Sequence, residues 1–480
     1  MAAVQDNSGV FGLSRREFIG GCAACAAGLS VAPALGGTVS CPLKAESAPA
    51  LGGGPKPKVQ LVLVYPSADK PIWPNIGYDF DSHNSRFVEE LRKGCPGIEF
   101  LPCNVMSKSD AQAVVERDGE VDGYVVYLSG CLWGGTPDMI GSLGKPTLFV
   151  DHLFAGSGAF LTSYGRMRRS GMKVAAVSSS RFEDIVEAAR CIESIVKLRS
   201  SKMLVVGRKT DAVIEEVFGT KLAVLDFSQL RQAYENADRG AAAEKANEWI
   251  GKAARVIEPS RNEIVKSAAM YLGMCDIMNR HNAQAITINC LGGFYDGHIS
   301  AYPCLGFMQL NDDGFIGACE GDRKSTITMM LMSYLTHRPG FISDPVIDTS
   351  RNRVIYAHCI APTKVFGPGR SANSYHIRSH SEDRKGACNR SLMPLGEMTT
   401  TVEFDAHKKQ VILHQGVSVE NVDEDMACRN KLAVEVKGDV YKLLNEWDRW
   451  GWHRVTYYGD YKRAVYNVAA MLGFEVVEEA

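Results

Sequence analysis

The stretch GFIGACEGDRKSTITMMLMSYLTHRPGFISDP, Gly314 to Pro345, decides the reading of the whole chain. It opens on an apolar strand-like run, FIGAC. It continues into TITMMLMSYL, which is apolar on nearly every helical face, and both flanks of Glu320 and Asp322 therefore read as buried. Carboxylates in the first turn of an exposed helix are ordinary complements to the helix dipole, favourable by about 0.3–1 kcal/mol. Carboxylates between two buried elements need a partner, and a metal ion is one such partner.

Outward from this stretch the texture differs on its two sides. Toward the N-terminus, VQLVLVYP, VDGYVVYLSG and KPTLFVDH are buried-strand runs, with the helical SRFVEELRKG between the first two. A second alternating block follows the helix RFEDIVEAARCIESIVKLRS: strand KMLVVG, helix DAVIEEVFG, strand LAVLDF, a long helical region from Arg239 to Arg280, and strand AQAITIN. Alternation of this kind predicts parallel sheets covered by helices. Past Pro339 the chain changes to NRVIYAHCIAP, MTTTVEFDAHKKQVILHQGVSV and RNKLAVEVKG, separated by polar turns, which predicts an antiparallel sheet or barrel. The expected fold is thus α/β: two Rossmann-like domains (59–180 and 181–338) followed by a β-rich, barrel-like C-terminal domain (339–480).

The N-terminal residues read as an address. SRREFIG, Ser14 to Gly20, sets Arg15 and Arg16 before a short, modestly apolar run, the pattern of a twin-arginine export signal rather than a membrane span. Residues 1–34 are read as that signal and 35–58, rich in Gly, Pro, Ala and Ser, as a flexible tether. Export to the periplasm or beyond, through the twin-arginine translocase, is the expectation, with no stable membrane span.

Length and composition bound the function. The 480 residues are 45% hydrophobic, with 53 basic and 55 acidic side chains and a net charge of −2. No field that would hold a polyanion follows, and nucleic acid is excluded as a partner. The 14 cysteines include no Cys-x-x-Cys pair after the signal, so neither a zinc knuckle nor an iron–sulfur frame is present. VVG followed by RKTD lacks the spaced glycines of a dinucleotide loop, and no phosphate-binding loop occurs.

Four side chains at element ends carry candidate chemistry: Glu320, Asp344 in FISDP, His358 in VIYAHCIAP and His453 in WGWHRVTYYGD. Two oxygen and two nitrogen ligands with open positions suit Mn2+, with Mg2+ or Co2+ as alternatives. Each has a bland reading beside it: Glu320 as a helix-start carboxylate, Asp344 as a turn residue before Pro345, and the histidines as core residues. Trp452, His376 and Arg378 are candidate substrate contacts, with core or turn roles as the alternative. Asp322 and Lys324 read either as groups orienting Glu320 or as a surface pair.

In order, ACEGDRKSTITMML, FISDP, AHCIAP and WHRV resemble the motifs of the L-fucose isomerase and L-arabinose isomerase superfamily, best from about Ala268 to Val477. The resemblance implies a metal held by Glu320, Asp344, His358 and His453. Glu320 and Asp344 would be the catalytic pair that moves a proton between adjacent carbons of an open-chain sugar through an enediol. It also implies two α/β domains before a β-rich third and a homo-oligomer. The sequence departs from the arabinose type at Trp452, where a histidine is expected, and SYHIRSHSEDRKGACNRSLMPLGEMTTT has no counterpart. A metal-dependent sugar isomerase is the leading expectation. A sugar-binding homologue without that chemistry, or a periplasmic solute-binding protein, is the alternative.

Overall fold

The computed structural model describes residues 55–480. The proposed export signal, and all but the last four residues of the tether, lie outside the described residues.

Every residue of KVQLVLV after its first is buried, which is what a strand covered by helices on both faces requires. It forms β1 (Lys58–Val64), the second strand of a parallel sheet with β2 (Glu99–Val105), β3 (Gly123–Leu128), β4 (Thr147–Asp151) and β5 (Val174–Val177), in the order β2-β1-β3-β4-β5. β2 and β5 are not evident in the sequence. β2 carries Pro102 and alternates in exposure, as an edge strand can, and β5 has only four residues.

A second parallel sheet follows, built from β6 (Lys202–Val206) and β7 (Lys221–Leu225) and, after the two-residue β8 (Arg255–Val256), from β9 (Ala285–Ile288) and β10 (Ile316–Ala318). Its order is β10-β9-β6-β7. The predicted long helical region is in fact two helices, Arg239–Lys252 and Arg261–His281, broken around β8. Ser260 caps the second by accepting from the Glu263 amide at 3.3 Å.

The antiparallel half contains β11 (Phe341–Asp348), β12 (Arg353–His358), β13 (Tyr375–Arg378), β14 (Cys388–Ser391), β15 (Met398–Asp405), β16 (Gln410–Asn421), β17 (Asn430–Val436), β18 (Arg454–Tyr458) and β19 (Glu475–Glu478). Six of these close on themselves as β15-β18-β11-β12-β17-β16, with β16 pairing back to β15. The result is a six-stranded antiparallel barrel, which leaves no free edge among those six. β19 adds in parallel to β16, while β13 and β14 form a separate sheet with β8.

Two helices join the parts. The helix Arg323–Thr336 leaves β10 and packs on both the barrel strand β15 and the helix Phe182–Arg199. The C-terminal helix Lys462–Leu472 leaves the barrel to pack on β5 and the same Phe182–Arg199 helix, where the Cys191 thiol reaches the Ala464 carbonyl at 3.7 Å. One continuous apolar core consequently runs from Val59 to Phe474.

Candidate metal centre

Glu320 stands two residues past the carboxyl end of β10, the end of a parallel sheet at which ligands are bound. Its backbone is left-handed, φ 66°, a conformation that costs a non-glycine residue on the order of 1–3 kcal/mol. Neighbouring contacts hold it there: the Glu320 amide donates to the Cys290 sulfur at 3.4 Å, and the Gly321 amide to the Ile288 carbonyl at 2.8 Å. At Gly321, also left-handed at φ 63°, a Cβ would meet the Arg208 side chain at 2.5 Å. The turn thus aims the Glu320 carboxylate away from the sheet.

The barrel supplies the rest from three neighbouring strands. Asp344 lies on β11, opposite Ala357 of β12, and Ser343 pairs with Arg454 of β18. His358 ends β12 and His453 immediately precedes β18, so strand pairing sets both imidazoles beside Asp344. His358 Nε2 is 3.7 Å from Glu320 Oε1 and His453 Nε2 is 3.6 Å from Glu320 Oε2. The two rings meet edge to face at 5.3 Å. Asp344 Oδ1 lies 3.0 Å from His453 Nε2, close enough for charge attraction but without hydrogen-bond alignment.

Asp322 has two tasks. As N-cap of the helix Arg323–Thr336 it accepts from the amides of Lys324 and Ser325 at 3.0 and 3.1 Å. It also accepts from His453 Nδ1 at 2.8 Å, which leaves Nε2 facing Glu320 and Asp344. Asp322 therefore orients His453 and not Glu320, while Lys324 turns to the Trp450 carbonyl and to Asp405, 3.7 Å away. Arg454 fixes His453 from behind, donating to the carbonyls of His453, Gly451 and Trp447 at 2.9, 3.1 and 3.0 Å and pairing with buried Glu479 at 3.0 Å. Nothing local in the sequence announces this arginine, since its partners are scattered from Trp447 to Glu479.

The electrostatics follow from burial and these pairs. Burial pushes the Glu320 carboxyl up and the His358 imidazole down to about 4. Burial also opposes the charge on His453, but the Asp322 and Asp344 carboxylates override it and hold the ring up at about 11. Against the desolvation of Asp344, His453 and the charge of His358 hold that carboxyl below its ordinary range.

Both ring nitrogens of His358, and Nε2 of His453, are buried without a hydrogen-bond partner. A buried polar atom without a partner costs about 1–3 kcal/mol, so a molecule that keeps the two of His358 beside Glu320 has a use for them. Glu320, His358 and His453 each bring a ligand atom within 4.8 Å of the others, and an oxygen with two imidazole nitrogens is a donor set for a first-row divalent cation. The residues present fit such an ion, with Asp344 standing against His453 at the edge of the triplet.

The remaining candidates are placed differently. Trp452 is 61% exposed and lines, with Asp344, Ser381, Glu382 and Arg384, a cavity of about 370 Å3. Arg378 lies on β13 and is bound by Glu258 at 2.6 Å. His376, on the same strand, pairs in register with Arg390 and Arg255. Among the described residues, no hydrogen bond or ion pair joins His376 or Arg378 to the Glu320 cluster.

An α/β protein with a closed barrel and a carboxylate–imidazole cluster at the junction of sheet and barrel is the class these features define. No protein-family model matches the chain. It is similar to the sulfoquinovose isomerase of Clostridium sp. (strain MSTE9), 24% identical over 302 residues that cover 58% of this chain and 65% of that protein. The sulfoquinovose isomerase of Priestia aryabhattai is 24% identical over 242 residues, covering 48% and 52%. The chain thus spans about half to just under two thirds of the length of these curated relatives. A solved periplasmic solute binding protein of an ABC transporter from Actinobacillus succinogenes 130z, with bound D-allose, is 11% identical over 51% of this chain and 84% of that one. Its TM-score of 0.18 is too low to bear on fold or function.

Proposed function

We propose that this protein is a divalent-metal-dependent sugar isomerase that interconverts an open-chain aldose and its ketose, with Mn2+ as the ion and Mg2+ or Co2+ as substitutes. The observation that carries the reading is the buried, unpartnered imidazole of His358, whose Nε2 lies 3.7 Å from Glu320 Oε1. Two relatives that are sulfoquinovose isomerases support it independently.

Glu320, His358 and His453 would hold the ion, with Asp344 completing the set. When bound, a divalent ion polarises the oxygens of the sugar carbonyl and its neighbouring hydroxyl. The chain's own groups move the protons. One carboxylate of the Glu320 and Asp344 pair takes the proton from the carbon beside the carbonyl and returns it to the adjacent carbon; the other serves the hydroxyl proton. No net oxidation occurs, because one carbon loses what its neighbour gains. Asp322 holds the His453 ring in one orientation throughout. Trp452 offers an apolar wall beside Asp344.

The cavity points to an uncharged sugar. Arg384 is the one cationic side chain among those lining it, and both its terminal nitrogens are committed to Asp425, at 3.1 and 2.7 Å. Asp344, Glu382 and Asp425 line the same walls. A sulfonate there would meet more carboxylates than free donors.

The test is metal analysis of the purified protein, then a screen of uncharged aldoses and ketoses, with sulfoquinovose beside them, for Mn2+-dependent isomerisation. Turnover of an uncharged sugar that chelator abolishes is the expected result. Sugar binding unaffected by chelator, without turnover, contradicts the reading. We also propose export by the twin-arginine route, checked by Arg15→Lys with Arg16→Lys, which should retain precursor in the cytoplasm. A homo-oligomer is the proposed assembly, and sedimentation showing only monomer at micromolar concentration contradicts it.

A further inference from the structure

Beside the Glu320 cluster stands a row of four side chains that the isomerase chemistry does not use. Cys428 lies in the loop between β16 and β17, with its sulfur 3.6 Å from that of Cys359. The Cys359 sulfur is 3.3 Å from His380 Nε2, and His380 Nδ1 is 3.2 Å from Asp383 Oδ1. Cys359 and His380 are buried, at 8% and 2% exposed, whereas Cys428 is part-exposed and lines the cavity that holds Asp344 and Trp452. The row is not a metal cage: among the described residues, only Glu320, His358 and His453 gather three ligand atoms within 4.8 Å. It is an accessible thiol backed by a buried thiol, an imidazole and a carboxylate.

We propose that Cys428 and Cys359 are a site of reversible oxidation, closing into a disulfide when a hydroperoxide enters the cavity, and that closure weakens the metal centre through His358. In the first step the Cys428 sulfur attacks the terminal oxygen of the hydroperoxide. The S–O bond forms, the O–O bond breaks, sulfur gives up two electrons to oxygen, and the thiol proton passes to the departing oxygen, which leaves as an alcohol or water. In the second, the Cys359 thiol passes its proton to His380 Nε2 and its sulfur attacks the Cys428 sulfur. The S–S bond forms, the S–O bond breaks, and the departing hydroxide takes the proton from His380 as water. Two thiols and one hydroperoxide become one disulfide, one alcohol and one water.

The geometry favours this outcome. The sulfurs must close from 3.6 Å to about 2.05 Å. The last paired rung of β12 and β17 is His358 with Asn430, so both cysteines lie just beyond the ladder, where strand pairing does not oppose the approach. The opposite side of the row is braced. Asp383 accepts from the Lys385 amide at 3.1 Å and from the Tyr302 hydroxyl, and Arg429 donates to the Ser379 carbonyl at 3.0 Å. Because Asp383 accepts from His380 Nδ1, Nε2 is the nitrogen left to receive the Cys359 proton.

Cys359 is bonded directly to His358, so drawing its side chain toward Cys428 displaces the backbone that carries the candidate ligand. This coupling rests on the proposed metal-dependent reading; the disulfide itself does not.

The test uses the full chain, metal-free, treated with hydrogen peroxide, alkylated, digested and examined by mass spectrometry. A peptide pair joined through Cys359 and Cys428, two hydrogens lighter and separated by dithiothreitol, is expected. Both cysteines fully alkylated after peroxide overturns the proposal. In Cys359→Ser, sulfenic acid trapped by dimedone should accumulate on Cys428; in Cys428→Ser, no bridge should form, so a failure of one variant to fold leaves the other decisive. Titration of Mn2+ into reduced and oxidised wild type should show affinity at least tenfold lower after oxidation, and a peroxide effect absent from Cys428→Ser. A bridge that forms with Mn2+ affinity unchanged overturns the coupling alone, while no Mn2+ binding in either state counts against the metal centre and not against the thiol pair.

Discussion

At the scale of single residues, Glu320 is a candidate ligand held against its own backbone preference. Its left-handed φ of 66° suits glycine, so Glu320→Gly should stabilise the apo protein by about 1 kcal/mol in urea unfolding while abolishing Mn2+ binding. Glu320→Gln keeps the strain and loses the ion without that gain. Equal stability of the two variants would show that the turn is not strained. Asp322 allows a second separation of roles. Asparagine caps a helix about as well as aspartate, so Asp322→Asn should keep the helix start while losing the stability that the charged pairing with His453 supplies. Without the carboxylate on His453 Nδ1, Mn2+ affinity should fall by about 10–100-fold. Calorimetric titration showing wild-type affinity in that variant would remove Asp322 from the support of His453.

At the scale of elements, the contact between the helix Arg323–Thr336 and barrel strand β15 hides an acid. Glu403 on β15 is fully buried, with both oxygens 3.2–3.3 Å from the Ser325 hydroxyl, and burial pushes its carboxyl up to about 8. The folded protein therefore keeps this proton over a range where the unfolded chain, with an ordinary value of about 4.3, has lost it. Its contribution is complete below the unfolded value and is lost as pH rises toward 8. Asp322, held low, contributes fully above its ordinary range and does not change over this interval. The urea midpoint of metal-free wild type should accordingly fall between pH 5.5 and 8, and that of Glu403→Gln should fall less. Parallel slopes would mean that Glu403 is already ionised at pH 5.5.

At the scale of the whole molecule, the parts share one core. Val465, Val468, Met471 and Leu472 of the C-terminal helix belong to the same buried cluster as Ile192 and Ile195 of the Phe182–Arg199 helix. A fragment of residues 339–480 should thus fail to give a cooperative melt, even though its barrel is closed; a sharp transition in circular dichroism would disprove the dependence. The candidate metal centre crosses the same junction, with Glu320 from the end of the second sheet and His358 and His453 from the barrel. Mn2+ at about 100 times its dissociation constant should add about 2.7 kcal/mol to the stability of the intact protein, a shift that chelator reverses.

Much of this was legible in the sequence because it is local. Alternating buried strands and helices predict parallel sheets from their period alone, and the change of texture past Pro339 marks the antiparallel half that the structure closes into a barrel. Glu320, His358 and His453 stand out as polar residues at the ends of apolar elements, and Asp344, which the sequence places at such an end, lies inside β11; the burial of each would be costly without a partner. What they meet is a matter of pairing at long range. Asp322 contacts His453 across 131 positions, and Cys359 meets Cys428 across 69 and His380 across 21. Periodicity carries no information on such separations, because a side chain's neighbours on its own element depend on the next few residues, whereas its neighbours across the fold depend on strand register and barrel closure. Tertiary structure alone decided that Asp322 serves His453, that Arg454 anchors the loop behind it, and that two of fourteen scattered cysteines stand side by side at the edge of the candidate site.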